Sequence, residues 1–145
     1  MLKNINPLLT GQLLSVLADM GHGDEIVIVD ANFPATTVAN VLIEMPGITA
    51  TAVLEAVLGL LPLDDFVDQP AAVMQAPERP TIYADFANLV AQAEGRTIEL
   101  QEIDRFAFYD RAKTAFAVVS TGERRLYANI ILKKGVVRAQ GGLPC

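Results

Sequence analysis

The chain has 145 residues, 52% of them hydrophobic and 19% charged, a composition that excludes a mostly disordered protein and predicts one domain over 1–145, too short for two, with residues from about 138 onward as a mobile tail. Its only cysteine, Cys145, excludes an intrachain disulfide, and no apolar stretch approaches a membrane span or a cleavable leader, so a soluble protein of the reducing cytoplasm is expected. Residues 1–104 carry 15 acidic and 3 basic side chains and residues 105–145 carry 2 and 8, but the net charge of −6 and the lack of a basic run interleaved with aromatics exclude nucleic acid as the expected partner and leave the basic segment to pair with acidic parts of its own fold or of a neighbour.

From Pro7 to Met20 the apolar residues Leu9, Leu13, Val16, Leu17 and Met20 recur at helical spacing, which predicts an amphipathic helix. Gly21 is the expected left-handed residue at its end, Gly23 lets the chain turn again, and the sole histidine, His22, stands between them. Ile26–Val29 is an unbroken β-branched run, read as a strand buried on both faces of a covered parallel sheet. It ends in a polar loop that begins with Asp30, and ligands of open α/β sheets collect at the carboxyl ends of strands. Val41–Met45 reads as a short strand. Thr51–Leu61 reads as a helix whose only charged residue is Glu55; a helix apolar nearly all round needs cover on every side, and in so small a domain a second subunit is the expected cover.

Leu63–Pro80 reads as loops around one strand at Ala72–Met74, and Thr81–Ala93 as a helix closed by Gly95. Thr97–Glu102 alternates as a strand with one wet face, and Asp104 can cap a helix from Arg105 to about Ala115. Phe116–Ser120 and Leu126–Lys133 read as strands joined through Thr121-Gly122-Glu123, a hairpin signal, with Tyr127 and Asn129 on one face of the second. Helices between most strands predict an α/β fold, a three-layer sandwich with a largely parallel sheet and an antiparallel C-terminal hairpin.

One histidine and one terminal cysteine cannot supply a zinc site rich in either ligand, and no nucleophile elbow, phosphate loop or other cofactor motif occurs. No metal and no organic cofactor are expected. Proton transfer remains. Histidine ordinarily titrates near pH 6.5, so it can both take and give a proton near neutrality. A lone histidine at a helix end can equally cap carbonyls, Asp30 can be a loop or cap residue, Arg105 can pair with a carboxylate, and Tyr127 and Asn129 can be ordinary sheet residues.

A likeness favours the chemical alternative. Met20-Gly21-His22-Gly23-Asp24-Glu25-Ile26, then Asp30-Ala31 and Phe33-Pro34-Ala35, resembles the fucose mutarotase and ribose pyranase family, and its fucose branch most. Arg105-Phe106-Ala107-Phe108-Tyr109, Ala115-Phe116-Ala117, Thr121-Gly122-Glu123-Arg124 and the run from Tyr127-Ala128-Asn129 to Val136 are similar to the family's C-terminal half. Asn32 stands where members of the fucose branch carry a second histidine. The resemblance implies that His22 is catalytic and that Asp30, Arg105, Tyr127, Ala128 and Asn129 bind a monosaccharide. It also implies a homo-oligomer, a ring-based decamer, with sites at subunit boundaries. The activity implied is interconversion of the α and β anomers of a fucose-like sugar. A non-catalytic sugar-binding protein of uptake or regulation would use the same polar set without turnover, and a related lyase or isomerase would need a metal or a Schiff-base lysine.

Overall fold

The computed structural model describes residues 1–139; Cys145 and most of the expected tail lie outside the described residues. The β-branched run forms β1 (Glu25–Val29), whose residues Ile26 to Val29 are fully buried. It lies near the centre of a six-stranded sheet with β2 (Leu42–Met45), β3 (Ala71–Met74), β4 (Gln101–Ile103), β5 (Ala117–Thr121) and β6 (Ile130–Lys133), in the order β2-β5-β1-β6-β3-β4. The pairs β1–β5, β2–β5 and β3–β4 are parallel, while β6 runs antiparallel to both β1 and β3. Five strands therefore point one way, and the end of each reaches the same edge of the sheet.

Helices cover both faces: α1 (Gly11–Asp19), α2 (Ala35–Val38), α3 (Ala50–Leu58), α4 (Ile82–Glu94) and α5 (Arg105–Thr114). Alternation along β1 divides its side chains between two cores. Ile26 and Ile28 join Leu13, Val53 and Phe86 of α1, α3 and α4, whereas Val27 and Val29 join Phe108 and Ala112 of α5 and Val38 of α2. Burying a side chain such as Phe86 or Phe108, neither with any exposed surface, stabilises the fold by about 2–3 kcal/mol. The three-layer α/β sandwich with a largely parallel sheet is the predicted architecture.

Several details differ from the sequence reading. The antiparallel strand is present, but β5 and β6 do not form a hairpin, because β1 lies between them. The Thr121-Gly122-Glu123 segment turns toward the 46–48 loop instead: the Gly122 amide donates to the Ile48 carbonyl (2.8 Å), and a β-carbon at this position would collide with the Pro46 carbonyl. Residues 126–129 are not strand; Tyr127 has φ 61°, a left-handed turn conformation that breaks the alternation expected of a strand.

Met20 ends α1 with an extended backbone, and the left-handed residue is Gly23 (φ 88°), not Gly21. α2 was hidden from periodicity by its single turn. The apolar helix α3 finds its cover within the chain, where Val53, Leu54 and Val57 are fully buried between the sheet and α4, so a neighbour is not needed to cover it. The basic segment does pair with the acidic one: Arg111 with Glu25, Arg125 with Asp85, and Arg138 with Asp65. No helix among the described residues is long and apolar enough to cross a membrane.

Candidate functional site

Where the parallel strands end, their loops enclose a cavity of about 180 Å³. Asp30 follows β1 directly and is buried. One of its carboxylate oxygens accepts from the Asn32 amide (2.9 Å), a turn that Asp stabilises locally. The Asp30 amide donates to Asn129 Oδ1 (2.9 Å), which fixes the carboxamide's orientation and turns Nδ2 toward Met74 Sδ (3.9 Å). Asn129 is held in turn at the start of β6, and the Met74 amide donates to its carbonyl. Asp104 caps α5 by accepting from the Phe106 and Ala107 amides, and so sets Arg105 at the pocket mouth. Among the described residues no carboxylate pairs with Arg105; its guanidinium lies 4.9 Å from the Phe106 ring centroid.

Two kinds of side chain line the cavity. Asp30, Asn32, Arg105, Tyr109, Tyr127 and Asn129 offer polar atoms, whereas Phe33, Met74 and Leu126 offer none that is strongly polar. Burial pushes the Asp30 carboxyl above the usual carboxylate range, against the opposing pull of the Asn32 amide and the Asn129 side chain. Ala128 is fully buried and its methyl belongs to the larger core, so its main chain alone borders Asp30.

His22 stands elsewhere. It precedes β1 whereas Asp30 follows it, and five strand residues span about 17 Å at roughly 3.3 Å each, so the histidine lies at the opposite edge of the sheet from the pocket. There its Nε2 is 3.0 Å from Asp64 Oδ1, and its ring centroid lies 5.1 Å from that of Phe66. Asp64 is buried and also accepts from the Phe66 amide (3.1 Å). Burial opposes its ionisation, but the Phe66 amide and the His22 ring together hold the carboxyl below its ordinary value. An ionised carboxylate only accepts, so beside one His22 Nε2 is the donor, and Nδ1 takes no part in this bond. The far end of β6 holds the arrangement: the Gly23 amide donates to the Lys134 carbonyl (2.8 Å), the Asp64 amide donates to the Lys133 carbonyl (3.0 Å), and the Lys134 ammonium donates to the carbonyls of Leu17 and Met20.

Asp30, Arg105, Tyr127 and Asn129 thus come together as expected, with His22 apart from them in the same chain. Asp64 and Phe66 were missed, since nothing local links them to a histidine about forty positions earlier. Tyr109 left a readable trace, four residues after Arg105 on one face of a helix. Among the described residues no three His, Cys, Asp or Glu side chains are grouped to hold a metal ion.

Known proteins share this architecture over nearly the whole chain. The L-fucose mutarotase of Actinobacillus pleuropneumoniae serotype 5b is 45% identical, covering 94% of this chain and 97% of that one. The crystal structure of the fucose mutarotase of Streptococcus pneumoniae in complex with L-fucose superposes with a TM-score of 0.88 at 41% identity, over 94% of this chain and all of that one. Bacillus subtilis RbsD complexed with D-ribose gives 0.76 at 26% identity, over 95% of this chain and all of that one. Residues 3–137 match the RbsD / FucU transport protein family as a whole, and the chain belongs to that family.

Proposed function

We propose that this chain is an isomerase, a mutarotase that interconverts the α and β anomers of L-fucose or a closely similar monosaccharide in the cytoplasm. The observation that carries the reading is the cavity in which Asp30, Arg105, Tyr127 and Asn129 converge, in a chain 41% identical to a mutarotase with L-fucose bound. Mutarotation needs only proton transfers. A base removes the proton of the anomeric hydroxyl while an acid protonates the ring oxygen; the bond from C1 to the ring oxygen breaks and C1 becomes an aldehyde. Rotation about C1–C2 presents the other carbonyl face, and the reverse transfers close the ring. No electron leaves the sugar, so no redox cofactor is called for.

His22 is the base, exchanging the proton at Nδ1 while Asp64 holds Nε2. Because its own pocket lies a strand's length away, it serves the pocket of a second copy. Large apolar side chains are exposed on both parts, Phe66 (66%) beside His22 and Phe106 (66%) and Leu126 (63%) beside the pocket, as a boundary between copies requires. A contact that joins one edge of the sheet to the opposite edge of the next copy is head-to-tail, and repetition closes it into a ring when the rotation between copies divides a full turn. The ring-based decamer implied by the resemblance is a closed assembly of that kind. In the pocket, Arg105 and Asn129 donate to ring hydroxyls, Tyr127 covers a face of the sugar, and Asp30, inclined by burial to keep a proton, is placed to give or receive one.

Saturation transfer between the two anomeric protons in nuclear magnetic resonance tests the function. Added protein should speed exchange, and His22→Ala should remove most of the acceleration, about 10²–10⁴-fold for a general acid–base group, with the fold intact. Binding of L-fucose with no faster exchange would make it a sugar-binding protein without turnover. A folded, fully active His22→Ala variant would overturn the role of His22.

A further inference from the structure

The pocket is lined by both polar and apolar side chains, and a 6-deoxy pyranose carries both kinds of group: C1 to C4 bear hydroxyls and C5 bears a methyl. Hydroxyls turned to Asp30, Arg105 and Asn129 leave that methyl to the apolar side chains. Of the three apolar side chains there, Leu126 is mostly exposed on the rim, whereas Met74 and Phe33 are 4% and 8% exposed. Phe33 is locked by edge-on packing against Phe108 (5.8 Å) and Tyr109 (5.4 Å). Met74 ends β3, its carbonyl accepts from the Tyr83 hydroxyl, and its sulfur faces Asn129 Nδ2. It therefore meets the Asn129 carboxamide and lines the same pocket as Phe33.

Resting on the mutarotase reading above, we propose that Met74, backed by Phe33, seats the methyl group at C6 and sets the preference for a 6-deoxy sugar over its 6-hydroxy counterpart. A hydroxymethyl group in this seat brings a hydroxyl against a thioether and an aromatic ring, where it loses water and gains only a weak acceptor. The neighbouring structure with D-ribose bound holds a sugar that has no sixth carbon, so the family's pockets differ in what they must accommodate at this point.

The test measures kcat/KM for anomer exchange of L-fucose and of L-galactose, its 6-hydroxy counterpart, in wild type, Met74→Leu and Met74→Gln. Wild type should favour L-fucose. Met74→Leu should keep that preference, and Met74→Gln, which offers a carboxamide to the hydroxyl, should shrink the ratio about tenfold or more, within the range by which one polar contact discriminates substrates. Equal loss for both sugars in a folded Met74→Gln protein would overturn the proposal. If that variant fails to fold, Met74→Ala makes room for the hydroxymethyl group and should shrink the ratio too; an unchanged ratio would overturn the proposal in its turn. Wild-type protein that exchanges neither sugar would defeat the mutarotase reading itself, a result distinct from an unaltered ratio.

Discussion

If each active pocket takes Asn129 from one copy and His22 from the next, two inactive variants should repair each other. His22→Ala removes the imidazole and leaves the pocket edge untouched; Asn129→Ala removes a carboxamide at the other edge and leaves His22 with Asp64 and Phe66. In a ring reassembled from equal amounts of the two, half the histidine edges and half the pocket edges are intact, so about a quarter of head-to-tail boundaries are free of both changes. Exchange of L-fucose anomers should recover to about a quarter of the wild-type rate per chain under those statistics. A second mixture sharpens the count. Wild type reassembled with the doubly substituted His22→Ala, Asn129→Ala chain should retain about a quarter of the activity if the site is shared and about half if it lies within one chain. Mass spectrometry of the mixed rings confirms that subunits have exchanged. With exchange confirmed, no recovery in the first mixture, or one half in the second, would refute the shared pocket.

Two further perturbations test the supports of each half-site. Asp64→Ala frees the His22 ring from its side-chain hydrogen-bond partner and should lower kcat by about 10–100-fold, the loss seen when the carboxylate orienting a metal-bound histidine is removed, with KM little changed; a matched rise in KM would place Asp64 in sugar binding instead. Glu123 is buried and its carboxylate accepts from the Arg125 side chain, whose hydrogen bond is the main cause that holds its carboxyl below the usual range. A depressed folded-state pKa contributes stability above the unfolded value of about 4.3, and that contribution fades as pH falls through the folded one. Glu123→Gln should therefore cost about 1.5 kcal/mol at pH 7, the low end of the range of a charged hydrogen bond because Arg125 is partly exposed, with the gap to wild type closing in acid. Urea midpoints at pH 7 and in acid measure it, and a gap that stays constant would contradict the ion pair's role.

How much of this could be read from residues follows from how local each signal is. β1 announced itself because four β-branched residues in a row suit only a strand covered on both sides, and α5 because Asp104 sits at its cap. Asp30 was legible for a related reason, since the residue after a buried parallel strand falls at the ligand-bearing edge whatever the rest of the fold does. The hairpin reading failed because Thr121-Gly122-Glu123 satisfies turn chemistry equally well whether the next strand pairs with β5 or lies beyond β1. Gly122 is needed there for its close approach to Pro46, a tertiary demand invisible along the chain. Tyr127 and Asn129 do meet in one pocket, but through a left-handed turn at Tyr127 and not through strand alternation. Cover for α3 was misjudged from its composition, because α4, about thirty residues on, supplies it. Asp64 was beyond reach for the same kind of reason: its partnership with His22 depends on β6 drawing both segments to one end.

β6 explains why the pocket and the His22–Asp64 pair are both well built and well separated. It is the one strand that runs against the others, so its first residues lie where the parallel strands end and its last lie where they begin. Asn129, one residue before it, reaches the pocket; Lys133 and Lys134, at its other end, hold the turns that carry His22 and Asp64. The strand is fully paired, with β1 on one side and β3 on the other, and Ile130, Ile131 and Leu132 have no exposed surface. A strand so held cannot bend to bring its ends together, and no loop among the described residues bridges the gap. If His22 is the base proposed above, it therefore reaches a sugar only in the pocket of a second copy whose sheet lies end to end with the first. On that proposal, the paired strand that makes each end rigid is also what leaves a lone chain without a base beside its sugar.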